Sequence, residues 1–131
     1  MTLEEVEESL PNGFHDARIT SISLDYAKRE CKFNLEILFS DAEKEDAESY
    51  RTATLSLSRF LYCVIEAPDS KYPFQVEKAL WVDAGSEKPN HVSSTQLPGP
   101  LPEGAFRYWF FVNNWNSFIH VAALDAEIVL H

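Results

Sequence analysis

Between residues 31 and 39, Cys31, Phe33, Leu35, Ile37 and Phe39 share one parity, and Lys32, Asn34 and Glu36 stand between them. Side chains that alternate with a period of two point to opposite faces of a strand, so this run predicts a β-strand with one face in a core. A lone strand cannot satisfy its backbone, and the preceding residues supply a partner. In Ala17–Tyr26, Ala17 and Ile19 hold one parity, while Ile22, Leu24 and Tyr26 hold the other. The slip near Thr20-Ser21 predicts a β-bulge. The polar link Ala27-Lys28-Arg29-Glu30 then closes a hairpin.

The pattern continues along the chain. Thr2 followed by Glu5 is a capping box, which predicts a short helix over Leu3–Leu10, ended by Pro11-Asn12-Gly13. Ala53, Leu55 and Leu57 alternate within Tyr50–Leu57. Phe60–Ala67 carries both a helical stripe and a run of β-formers; strand is the preferred assignment. Val76–Ala84 is a short strand candidate. Gly85–Gly104 contains four prolines and reads as one long irregular segment, a kind that is often functional. Phe106–Val112 is aromatic on both parities, which predicts a central strand covered on both faces. Asn113–Asn116 turns it back into Phe118–Val121, and Ala126–Leu130 closes the chain as a strand.

The expected fold is therefore all-β, with α+β as the nearby alternative. It is a mostly antiparallel β-sandwich or partly closed barrel with a short N-terminal helix. The 131 residues form a single domain, 1–131, long enough to bury roughly two-thirds of the unfolded chain's surface. Cys31 and Cys63 lie in apolar stretches with no CxxC and read as small buried hydrophobes. The first ten residues hold four glutamates and no basic, apolar leader, and no stretch approaches the ~20 apolar residues of a membrane span. A cytoplasmic location is expected.

The net charge is −10, with 14 acids against 7 bases in residues 1–66. Nucleic acid and anionic membrane repel such a surface, so neither is an expected partner. A basic protein suits it better. Glu43, Glu45 and Asp46 lie in the most acidic stretch and are candidates for steering one in.

Few residues suggest chemistry. His15 and Asp16 stand directly before the first strand, where alternation would send them to opposite faces, so a turn-locking role is expected over a ligand site. His120 has the parity of Phe118 and Ala122 and reads as a satisfied core histidine. Trp115, in an Asn-rich turn, either folds back over the sheet edge or stands out as a binding hot spot. No HxH or HxxxH spacing marks a metal, no Gly-rich loop marks a phosphate, and no GxSxG marks a nucleophile. No cofactor is expected, and no motif supports an enzyme.

Phe14-His15-Asp16-Ala17, followed by an alternating strand, a polar turn and a second alternating strand, resembles the opening of a group of small bacterial all-β domains, some of them immunity proteins of polymorphic toxin systems. The resemblance covers about a quarter of the chain. It implies a protein that binds and covers a toxin, with no catalytic residues to carry over. Three functions are thus in view. The first is a non-enzymatic protein-binding domain, of the immunity type, directed at a basic toxin. The second is a ligand-binding or enzymatic barrel with an aromatic interior. The third is a structural subunit that pairs with its own copy through a strand edge.

Overall fold

The structure is a computed structural model, described over residues 1–39, 49–72 and 78–131. The capping box forms as expected. Glu5 N–H donates to Thr2 Oγ1, and α1 runs Leu3–Glu8, two residues shorter than expected, with Leu3 and Val6 buried. Eight strands follow among the described residues: β1 (Arg18–Asp25), β2 (Glu30–Leu38), β3 (Tyr50–Ser58), β4 (Tyr62–Ile65), β5 (Leu80–Ser86), β6 (Phe106–Val112), β7 (Ser117–Ala123) and β8 (Asp125–Leu130). The segment 60–67 is strand at its centre; of the strand expected at 76–84, residues 76 and 77 lie outside the described residues, and β5 covers 80–84 and runs on to Ser86.

The strands form one antiparallel sheet in the order β4-β7-β6-β5-β1-β2-β3-β8, with β4 and β8 as its two unjoined edges. The outward side of β8 is partly occupied, because Ala126 N–H donates to the Met1 carbonyl. The sheet folds over where β1 meets β5. Only Arg18↔Trp81 and Ile19↔Leu80 pair there, and a register shift lies on each side, at Ile19/Ser21 and at Val82/Ala84. Bulges bend strands and add twist, which is what a fold of this kind requires. The expected bulge at Thr20-Ser21 is thus one half of the hinge.

The Phe33–Phe110 contact measures the fold-over. These residues sit on β2 and β6, three strand steps apart, which is ~14 Å in a flat sheet. Their ring centroids lie 5.7 Å apart. Inward residues of both halves, among them Phe33, Leu55, Phe110 and Val121, share one core with Leu3 and Val6 of α1. Cys31 is buried and Cys63 half-buried, and both thiols are free. A hydrogen bond between them and burial push the Cys31 thiol up, while the same bond brings the Cys63 thiol down.

Candidate functional site

The outward face of β4, β7 and β6 carries the polar cluster. Register builds it row by row. Tyr62, Ala122 and Arg107 align across the three strands, then Val64, His120 and Trp109, and Phe118 aligns with Phe111. Glu66 stands just past β4, and its N–H donates to the Phe118 carbonyl. β6 therefore splits its aromatics. Phe106, Tyr108, Phe110 and Val112 go to the core, while Arg107 is exposed and Trp109 and Phe111 are half-buried outside. The expectation of a strand covered on both faces is corrected accordingly: the outer cover is partial. It comes from the irregular segment after β5, where Lys88 accepts from Trp109 Nε1 at 2.8 Å.

Glu66 ties that segment down. Its carboxylate accepts from Phe118 N–H at 2.9 Å, from Thr95 Oγ1 at 2.7 Å, from His120 Nε2 at 2.8 Å, and from the Ser93 hydroxyl. Burial alone pushes this carboxyl up. The bonds from Ser93, His120, Thr95 and Phe118 override it and bring its pKa down to about 2. A carboxylate only accepts, so the proton of the 2.8 Å bond sits on His120 Nε2.

Ser93, His120 and Glu66 resemble the parts of a nucleophilic triad, but their geometry does not relay a proton. In a relay the acid holds one ring nitrogen and the serine faces the other. Here Ser93 Oγ lies 3.4 Å from the same Nε2 that Glu66 holds, and the serine proton is already given to Glu66. The cluster is a clamp between segment 87–97 and the sheet.

Two cavities flank the clamp, meeting at Ser93 and Trp109. One, of about 350 Å³, is walled by Tyr62, Asn90, Thr95, Leu97, Arg107 and His120, among others. The other, of about 480 Å³, lies over Phe111, Asn116 and Phe118. Two polar atoms of residues lining the first cavity, Tyr62 Oη and Asn90 Nδ2, are buried and have no hydrogen-bond partner among the described residues. Tyr62 is only 9% exposed, and burial pushes its hydroxyl up while the Arg107 charge works the other way.

The residues expected from sequence are scattered. His120 is buried and satisfied, but on the outer face beside the cavities. Trp115 is half-buried against the core, the folded-back alternative. His15 and Asp16 lie in a turn, not on a strand, so they are not driven apart: His15 Nε2 approaches Asp16 Oδ2 to 3.4 Å. Asp16 adopts a left-handed φ of 60°, which aspartate tolerates, and His15 Nδ1 donates to the Asp83 carbonyl at 2.9 Å. With Phe14 and Ala17 buried, the Phe14–Ala17 motif anchors the first turn to β5. Glu43, Glu45 and Asp46 lie outside the described residues. Glu66, the centre of the cluster, was not singled out by sequence. The signal was a lone carboxylate closing the apolar run Phe60–Ile65, immediately before Ala67-Pro68.

Among the described residues, no three of His, Cys, Asp and Glu gather as metal ligands, and no helix is long and apolar enough to cross a membrane. No protein-family model, curated protein or solved structure matches the chain.

Proposed function

We propose that this chain binds a small organic molecule in the cavity between segment 87–97 and the outer face of β4, β7 and β6. One observation carries the reading: two residues of the cavity wall, Tyr62 and Asn90, hold buried donors, Tyr62 Oη and Asn90 Nδ2, that nothing among the described residues satisfies. Leaving such a group unmet costs ~1–3 kcal/mol, which a ligand acceptor recovers. The cavity is of ordinary ligand size, within the usual ~300–1,000 Å³. The wall mixes ring and aliphatic surface from Trp109, Tyr62 and Leu97 with a few convergent polar groups.

The test is a screen of neutral fragments followed by two-dimensional amide NMR. Bound fragments are expected to shift the signals of Asn90, Ser93, Trp109 and His120, and Tyr62→Phe is expected to weaken them. Fragments that map elsewhere, or none that bind at millimolar concentration, would remove the reading.

A second reading keeps the protein-binding function, as an immunity-type inhibitor of a basic toxin. It is favoured by the charge of −10. It requires a gene for a basic toxin beside this one and salt-sensitive association of the two products.

A further inference from the structure

We infer that the molecule taken by the smaller cavity is a carboxylate carrying a flat ring, its carboxylate met by Arg107, Asn90 and Tyr62 and its ring set against Trp109. This rests on the small-molecule reading above.

The donor inventory of the wall sets the ligand's charge. Asn90 Oδ1 accepts from the N–H groups of Val92 and Ser93 at 2.9 and 3.0 Å, which fixes the amide's orientation and leaves Nδ2, in a residue of the wall, without a partner among the described residues. An amide NH₂ only donates, and so does a guanidinium. Arg107 forms no ion pair among the described residues. It shares a face with Tyr62, since both flank Ala122 in register. Lys88 adds a second positive charge to the wall.

Of the neighbouring acids, Glu66 spends its oxygens on four donors, while Glu87, also on the wall, stands beside Glu4. The wall carries Arg107 and Lys88 against one acid, Glu87, in a chain of net charge −10. It suits an acceptor-rich, anionic group.

Shape separates carboxylate from phosphate. A planar guanidinium matches a planar carboxylate through two parallel bonds. The space, about 350 Å³, is near the lower end of ligand sites and is bordered by Leu97 and Trp109. The Trp109 ring is fixed by its Nε1 bond to Lys88 and by its edge-on contact with Phe118 at 5.4 Å, so it is a ready-made wall for a flat ring.

Benzoate, benzamide and phenyl phosphate, titrated into the full chain and followed by amide NMR, test this. Benzoate is expected to shift Asn90, Arg107 and Trp109 and to bind roughly tenfold or more tightly than benzamide, because charge-assisted bonds are about twice as strong as neutral ones. Arg107→Met, at an exposed position, is expected to erase that preference, and Tyr62→Phe to weaken benzoate binding; both variants should melt as folded proteins. Equal binding of benzoate and benzamide, or benzoate binding indifferent to Arg107→Met, overturns the charge assignment. Tighter binding of phenyl phosphate replaces carboxylate with phosphate. If none of the three perturbs these signals while neutral fragments still do, the carboxylate inference fails and the cavity remains a binding site.

Discussion

His120 donates from Nε2 to Glu66 Oε2 at 2.8 Å, joining residues 54 positions apart. The bond links β7 to the residue just past β4. Ser93 and Thr95 join the same oxygen, so the covering segment is held to the sheet through one carboxylate. Whatever the cavities bind, their geometry depends on the ionised state of Glu66.

That dependence gives a pH prediction. The folded pKa of Glu66 is about 2, below its ordinary value of 4.5. A depressed carboxyl contributes stability that is complete above the ordinary value and is lost as pH falls toward the folded one. At neutral pH Glu66→Gln is expected to destabilise by ~1–3 kcal/mol, since Gln presents one acceptor and a donor to groups that all donate. Between pH 4.5 and about 2 the gap between wild type and variant should narrow. Urea melts at pH 6 and pH 3 measure it. A gap that is constant with pH means that the four bonds do not hold the carboxyl down.

The sheet core gives a second prediction. Phe33 is fully buried and lies against Phe110 across the fold-over. Phe33→Ala should cost ~3–5 kcal/mol, the scale of an unfilled aromatic cavity. A loss below ~1 kcal/mol in thermal or urea melts would mean that the two halves of the sheet do not share this contact.

Much of this core was legible because its signal is local. The alternation of Cys31 to Ile37 reports one buried face directly, and the parity slip at Thr20-Ser21 reports the bulge. The Thr2–Glu5 box reports the helix start. The candidate site was not legible, because its parts meet only through register. Tyr62 and Arg107 become neighbours by flanking Ala122 on different strands, and Glu66 reaches His120 only once β4 lies beside β7. His120 illustrates the boundary between the two. Its parity with Phe118 was readable, but which face that parity presents depends on the sheet's fold-over. For His15 and Asp16 only the argument from opposite faces does not apply, for a related reason. Alternation applies to strands, and these residues occupy a turn with one left-handed φ.

His15 tests the difference between an anchor and a site. Its side chain is half exposed, and its bond to the Asp83 carbonyl ties the turn before β1 to β5. His15→Ala should lower the melting temperature slightly, on the scale of one net hydrogen bond, ~0.5–1.5 kcal/mol. Fragment or benzoate binding at Asn90 and Trp109 should be unchanged. Loss of binding with unchanged melting would move the functional site to the Phe14–Ala17 turn.

Gly85 gives the last prediction. It lies on β5 opposite Phe110 of β6, and the ring of Tyr108 passes directly over it. A Cβ at this position would come within 2.5 Å of both Tyr108 Cε1 and Oη, closer than van der Waals contact allows. Tyr108 has little room to yield. It is buried, stacked edge-on against Phe110 at 5.1 Å, and its hydroxyl donates to Glu7 Oε2 at 2.7 Å. Burial, then the bond to Glu7, pushes that hydroxyl above its ordinary range. Gly85→Ala should therefore destabilise by ~1–3 kcal/mol, the usual cost of overpacking, despite alanine's better backbone propensity. Trimming the ring relieves the clash, so Tyr108→Leu should cost less in the Gly85→Ala background than in wild type. A double-mutant cycle by urea denaturation measures the coupling. Additive costs would show that the ring does not rest on the Gly85 backbone.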